Sequence, residues 1–367
     1  MNAYIVSLKF SPGLLKEFMI LGENLKSKGY NIIYLLANDY KRMINDYENK
    51  YFIIQSSNSK EMIKDSIVSY KLKRKIKEIM SNNKPDFICI YNPHPLNYIP
   101  LKLAKNESGN CIRSIYLHEP YKQHKEKFSY MERVYRNIIE ITQSMCYRYM
   151  TDAIFPSEYA EKMYIYKYEN KYYVNKHVAP LLLSKVTKVP SNNKKYFSIV
   201  GNIDSNRSLD EFIDLIKYVD DVNDNSFKFK IITRSNIDID LCKLTDKQRS
   251  RVEIINKNFI TDDEISQVLD ESFATLLPHK QITQSGNVPT AFRWGTPVIA
   301  RNIEGFAQHI DNKKNGILLE ETFRVEELYK GVKYIQSNIN KMSYNCLETF
   351  DNYFSEDNWH KYYSWLS

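Results

Sequence analysis

Short apolar runs alternate with longer amphipathic segments along most of this chain. YIVSL (4–8) is the first run, followed by the turn FSPG and a stretch where Leu14, Phe18, Leu21 and Leu25 recur at helical spacing. Gly29 stands where that helix must stop, and NIIYLL (31–36) is the next buried strand. Further strand-like runs are YFII (51–54), DFICIY (86–91), SIYLHEP (114–120) and DAIFPS (152–157). Helical stretches at 66–80 and 130–150 lie between them. After the polar stretch SKVTKVPSNNKK (184–195) the alternation starts again. Strands are expected at 196–201, 227–233, 251–256, 273–278, 296–300 and 315–320, and helices at 208–219 and 261–272. Thr261 or Asp262 is placed to cap the second of these helices.

Continuous apolar strands separated by amphipathic helices predict parallel sheets covered on both faces. The fold class is therefore α/β, with two tandem Rossmann-like, doubly wound domains facing a cleft. The expected divisions are residues 1–183, a linker at 184–195, a second domain at 196–350, and a C-terminal helix at 351–367 that packs back on the first domain. Ligands in such folds lie beyond the carboxyl ends of the strands.

Composition narrows the class. Hydrophobic residues make up 43% of the 367, enough for real cores, and no apolar run approaches the ~18 residues that span a bilayer. The first residues read as a strand rather than a signal peptide. Five scattered cysteines show neither disulfide nor metal spacing, which points to a reduced, cytoplasmic protein. Charge is uneven. Residues 1–185 hold 29 Lys and Arg against 18 Asp and Glu, or +11, whereas the remainder holds 23 against 26, or −3. A basic first half suits an acidic partner such as an anionic membrane surface. In the helix KLKRKIKEIM, Lys71, Arg74, Lys75 and Lys77 cluster either as a solvated face or as such an attachment site. No nucleic-acid motif accompanies the charge.

Glycine is scarce, 10 residues in all, yet two fall within TQSGNVPTAFRWGTPVIA (283–300). Pro289 belongs to the first turn of a short helix, so Gly286 precedes a helix N-terminus that favours an anion. Glycine there allows close approach of a phosphate or a positive φ. Gly295 closes the same helix before Pro297 enters a strand.

The segment SGNVPTAFRWGTPVIARNIEGFAQHIDNKKNGILLE resembles the donor-binding part of retaining glycosyltransferases of GT-B fold, family 4, the group 1 transferases. Other pieces follow in the family's order: FSPG, IYLHEP and AIFPSEYAEKMY in the first half, then FSIVGNIDSNRSLDEFIDLI and VEIINKNFITDDEISQVLDESFATLLP. The resemblance implies transfer of a sugar, with retention, from a nucleotide-sugar donor, UDP- or GDP-linked, to a glycan or polyprenyl-phosphate-linked acceptor. It implies no metal and no further cofactor. Arg207 occupies the position of the family's phosphate-binding lysine and His118 that of the histidine at a strand end; these two are the catalytic candidates. Donor-binding candidates are Gly13, Gly201, Asn202, Lys280, Thr283, Gln284, Ser285, Gly286, Thr290 and Glu304.

Three departures stand out. The family's paired glutamates, the second of which binds the nucleotide ribose, are replaced by Ile282 and Thr290, and an arginine after the donor-domain glycine is replaced by Asn202. Thr283, Gln284 and Ser285 offer hydroxyl and amide groups to a phosphate or sugar instead. A non-catalytic GT-B scaffold, acting as accessory subunit of another transferase, is the alternative that these losses favour.

Overall fold

In a computed structural model the chain divides into two compact units, Met1–Pro180 with Trp359–Ser367, and Leu181–Asn358. The structure describes residues 1–366 except 47, 55–68, 122–129, 187–190, 192, 193 and 205, with only the backbone of 131, 132, 135 and 136. The start of the helix expected at 66–80 and part of the expected linker lie outside the described residues.

In the first unit, strands β1 (Asn2–Ser7), β2 (Asn31–Ala37), β3 (Lys50–Ile54), β4 (Phe87–Ile90), β5 (Ile112–Tyr116), β6 (Asp152–Phe155) and β7 (Asn175–Val178) form one sheet. Their order is β3-β2-β1-β4-β5-β6-β7, and every pairing is parallel. Tyr4, Ile5 and Val6 of β1 are wholly buried, as a central strand covered on both faces requires. Helices α1 (Leu15–Ser27), α2 (Ser69–Asn82), α3 (Tyr98–Glu107), α4 (Tyr130–Tyr147) and α5 (Glu158–Tyr168) connect the strands. Gly29 follows α1 in the left-handed region, and Ser157 caps α5 by accepting the Ala160 N–H at 3.1 Å.

The second unit repeats the plan with β8 (Tyr196–Val200), β9 (Lys228–Thr233), β10 (Val252–Asn256), β11 (Ser272–Leu277), β12 (Val298–Arg301) and β13 (Gly316–Leu319). The order is β10-β9-β8-β11-β12-β13, again all parallel. Its main helices are α6 (Asp210–Asp221), α7 (Asp262–Asp270), α8 (Asn287–Phe292), α9 (Val325–Ser337) and α10 (Ile339–Thr349). Phe197 of β8 stacks on Phe212 of α6, and Phe229 of β9 meets Phe212 edge to face, so rings lock the helix to the sheet. Thr261 begins α7 with a reciprocal capping box to Glu264.

Three expectations are corrected. β7 was not foreseen: NKHV carries no apolar run, and as an edge strand it is held instead by His177, which pairs with Asp152 at 2.9 Å and stacks on Trp365. The boundary falls at Pro180, ahead of the polar stretch. Within that stretch Ser191 N–H donates to Asp270 and the Lys194 ammonium donates to the Trp294 carbonyl at 3.0 Å, so both are fastened into the second unit. The C-terminal helix is also divided. Phe350–Phe354 continues α10 as a wider turn in the second unit, where Phe354 accepts from Leu183 N–H at 2.8 Å. The tail within the first unit holds only single turns, α11 (Trp359–Tyr362) and a 3-10 turn at Ser364–Leu366, anchored by buried Trp359 and by Trp365, which stacks on His177.

Beneath α1 lies an unusual acid. Glu17 is buried in the first turn of the helix, among Tyr91, Tyr116 and Tyr363. Burial pushes its carboxyl up to about 8, offset only in part by the nearby Tyr116 hydroxyl, and neither carboxyl oxygen has a hydrogen-bond partner among the described residues. The folded protein therefore keeps a proton that the unfolded chain releases near 4.5. Stability contributed by protonated Glu17 is complete below that value and is lost as pH rises toward about 8. Glu17→Gln is expected to remove a slope of about 1.4 kcal/mol per pH unit across this window. Denaturant melts at pH 5 and pH 8 test this; an unchanged pH slope in the variant would show that Glu17 is ionised in the fold.

Candidate functional site

The second sheet reverses direction at its centre. From β8 the chain moves outward through β9 and β10, then returns to β11 and moves the other way. At such a reversal the loops leaving the carboxyl ends of β8 and β11 border the position where doubly wound sheets take their ligands. The loop after β8 holds Gly201, Asn202 and Arg207, and the loop after β11 runs from Pro278 to Gly286.

Gly201 has φ +106, a conformation costly to other residues, and a Cβ there would sit 2.6 Å from Nη1 of Arg207. The glycine thus makes room for the guanidinium. Arg207 is 6% exposed and donates through Nη2 to the Val200 carbonyl. With its amide oxygen turned to the guanidinium, Asn287 accepts from Nη1 and Nη2 at 3.1 Å each. Nε of Arg207 has no partner among the described residues. Burial pushes Arg207 down to about 10, with Asp204 opposing, so the group stays charged at neutral pH.

His279 follows Pro278 at the end of β11. Burial, then the charges of Arg207 and Arg301, push it down to about 3, so the imidazole is neutral. Its Nδ1 and the Nε2 of Gln284 are buried without a partner among the described residues. Arg301, at the end of β12, spends its donors on structure: Glu211, the Pro278 carbonyl at 2.7 Å and the Glu321 carbonyl at 3.1 Å.

Asn206 stitches the two loops together. Its carbonyl accepts from Lys280 N–H at 2.9 Å, and its side chain exchanges bonds with the backbone of Gln281 at 3.0 and 2.9 Å. Gly305 holds the loop from the other side, since a Cβ there would lie 2.1 Å from the Ile282 carbonyl oxygen. The sequence reading missed Asn206, Asn287 and Arg301; its signal for Gly305 was the glycine in the turn after GTPVI.

The remaining candidates are placed as follows. Gly286 lies in the right-handed helical region, φ −61, so the positive φ offered as a reason for glycine does not apply. A Cβ would instead approach Leu181 to 3.2 Å. Gly295 does adopt φ +58 after α8. Thr290 donates its hydroxyl to the Gly286 carbonyl at 2.7 Å, and Ser285 accepts from Asn287 N–H at 3.3 Å. Thr283 is buried, whereas the Lys280 and Glu304 side chains are exposed. Asn202 accepts from Arg234 at 3.3 Å.

Two candidates belong to the first unit. There the direction reverses between β1 and β4. Gly13 lies in a single turn, Pro12–Leu14, beyond β1, with open space around it. His118 lies two residues past β5 and packs its ring on Tyr116, 4.7 Å between centroids. Among the described residues no group of three His, Cys, Asp or Glu side chains is placed to hold a metal ion.

Comparison with known proteins follows this geometry. Residues 194–338 match the family described as Glycosyl transferases group 1. A glycosyltransferase from Rickettsia africae is similar over 100% of this chain and 98% of its own, at 16% identity and TM-score 0.70. Sucrose-phosphate synthase from Thermosynechococcus elongatus matches over the same shares at 12% identity and TM-score 0.72. Anabaena HepE in complex with UDP matches over the same shares at 11% identity and TM-score 0.70. A search of curated protein sequences returns no match. The fold is therefore that of the GT-B glycosyltransferases, and the second unit carries the group 1 glycosyltransferase pattern.

Proposed function

We propose that this protein is a glycosyltransferase that moves a sugar, with retention, from a nucleotide-sugar donor to a lipid-linked or growing glycan. The observation that carries the reading is the set of unpartnered polar atoms at the switch point of the second sheet. Three buried polar atoms, Arg207 Nε, His279 Nδ1 and Gln284 Nε2, lie on loops that border one switch point and lack protein partners among the described residues. Buried polar groups are otherwise nearly always satisfied, so such a set suits a polar ligand. A departing nucleoside diphosphate accumulates negative charge, and a preorganised guanidinium in a site shielded from water stabilises that charge. Arg207 meets this description. Lys280 adds an exposed ammonium on the β11 loop, and neutral His279 can accept a hydrogen bond from a sugar hydroxyl without repelling the donor's cationic sugar.

With Ile282 and Thr290 in place of the two glutamates, the ribose is held by other groups, for which Thr283, Gln284 and Ser285 are proposed. His118, on the first unit, is proposed to hydrogen-bond the acceptor. The UDP-bound Anabaena structure is consistent with a nucleotide donor, and UDP is the first diphosphate to try.

Thermal melts with millimolar UDP, GDP, CDP, ADP and dTDP test the reading. A ligand at 100 times its Kd adds about 2.7 kcal/mol to a folded state it alone binds. One diphosphate is expected to raise Tm, and Arg207→Lys is expected to weaken that response at least tenfold in apparent Kd, because the ammonium cannot reproduce the fork. Arg207→Ala would also leave Val200 without its donor, at about 1–3 kcal/mol, so the lysine variant is the cleaner test. No response to any diphosphate by the folded wild type would favour the non-catalytic scaffold.

Gly201→Ala probes the same geometry through the backbone. Strain at φ +106 and displacement of Arg207 are expected to cost about 1–3 kcal/mol of stability and to weaken diphosphate binding together. Retained affinity in the variant would place the diphosphate away from Arg207.

A further inference from the structure

Half-buried His118 is supported by a column of rings. It rests on Tyr116, and Tyr116 stacks on Tyr91 with centroids 5.2 Å apart and planes 17° from parallel. Tyr116 is held at its angle by one hydrogen bond, from its hydroxyl to the Ala179 carbonyl at 2.8 Å. Glu17 lies against the same two tyrosines, and so does Tyr363, which the tail brings in after the second unit. Tyr363 is buried and stacks on Trp359 of the tail at 5.3 Å. Both Glu17 carboxyl oxygens and the Tyr91 hydroxyl are buried without a partner among the described residues. An acid in such a place is costly unless it serves the groups around it.

The surroundings decide which form of the acid the cluster accepts. The titratable groups facing Glu17 are Cys89 of β4, Tyr91 just after it, Tyr116 of β5 and Tyr363 of the tail, and none is a cation. Tyr34 of β2 meets α1 further along, at Gly22. A carboxylate would have neither water nor positive charge, so the group is held as the neutral acid. Ionising it demands a donor. Either the Tyr116 hydroxyl turns from the Ala179 carbonyl to the carboxylate, or the tail lifts and admits water. The tail is the part able to yield, because it consists of single turns while the strands beneath are fixed by ladder bonds. Both responses release the Tyr116 ring, and the ring of His118 goes with it.

We propose that Glu17 and Tyr363 are positioning residues for His118: the neutral carboxyl and the seated tail together hold Tyr116 at the angle on which the histidine rests. Both act through Tyr116 rather than on a substrate. The proposal rests on the acceptor-side role given to His118 above and adds to it the element that sets the histidine's geometry.

Proton–carbon NMR of the whole protein, with carbon-13 in its histidines, tests this. Among the 7 histidines, His118 is assigned by the peak missing from His118→Gln, and its Cε1 shift is followed from pH 6 to pH 9.5. Besides titration of the imidazole itself, the wild type is expected to show a second inflection at about 8, where Glu17 ionises. Glu17→Gln keeps the shape of the neutral acid. It is expected to match the wild-type His118 shift at pH 6 and to lose that inflection. Tyr363→Ala opens the cluster to water and is expected to lower the inflection by about one pH unit or more. Trp365→Ala, which loosens the tail from His177, reads the same change if Tyr363→Ala does not fold. A wild type without the second inflection, or an inflection that survives Glu17→Gln, would overturn the proposal. So would an inflection shared by all histidines and accompanied by loss of near-ultraviolet circular dichroism, since the whole unit would then be opening. An unmoved inflection in the tail variants would overturn the part assigned to Tyr363. The measurement needs neither donor nor acceptor. A folded wild type that ignores every diphosphate counts against glycosyl transfer and leaves the coupling as read, whereas a diphosphate response without the His118 inflection counts against the coupling alone.

Discussion

A guanidinium taken out of water must be given acceptors, and the upper edge of the second sheet is organised around that demand. Losing hydration costs several kcal/mol, so the charge persists there only if the surroundings replace most of what water supplied. The end of β8 provides a carbonyl at Val200, the first residue of α8 provides an amide at Asn287, and Gly201 yields the space. Asn206 then fixes the β8 loop to the β11 loop, and Arg301 ties the start of the β11 loop to β12 and α6. The Asn206 and Arg301 contacts join segments far apart in the chain, so this edge is complete only once the whole sheet has formed. Neutral His279 is a by-product of the same arrangement, since two neighbouring positive charges and burial forbid it a third.

The sheets were legible because their information is local. Buried parallel strands read as apolar runs, Gly29 and Thr261 mark helix ends by their own conformations or hydrogen bonds, and the repeated alternation counts the strands of each unit with β7 as the exception. β7 depends on His177 meeting Asp152 and Trp365, and nothing in NKHV announces either. The boundary misled for a related reason. A polar stretch looks like a linker, but Lys194 reaches carbonyls near residue 294 and becomes part of a wall.

The site divides in the same way. Gly201 and Arg207 were visible because a strand end, a glycine and a basic residue stand close together in sequence. Asn206 and Asn287 were invisible because an asparagine gives no sign of a partner 75 or more residues away. Gly286 was singled out for the wrong reason: its backbone is ordinary, and the constraint is the side chain of Leu181 across a narrow gap. Of the two glycines in that segment, only Gly295 is where it is because of its own dihedral angles.

The return of Trp359–Ser367 to the first unit means that the second unit is an uninterrupted insertion within the first. Order of synthesis and order of completion are therefore reversed. On the ribosome, residues 1–180 emerge first, yet Trp365 must still arrive to cover His177 and Phe87, and Trp359 to lie under Lys28. Residues 181–358 need nothing from beyond their own span to close their sheet. The half of the molecule made second is thus the half able to finish first, and the nascent first half waits, with an aromatic seam open, for the tail that seals it.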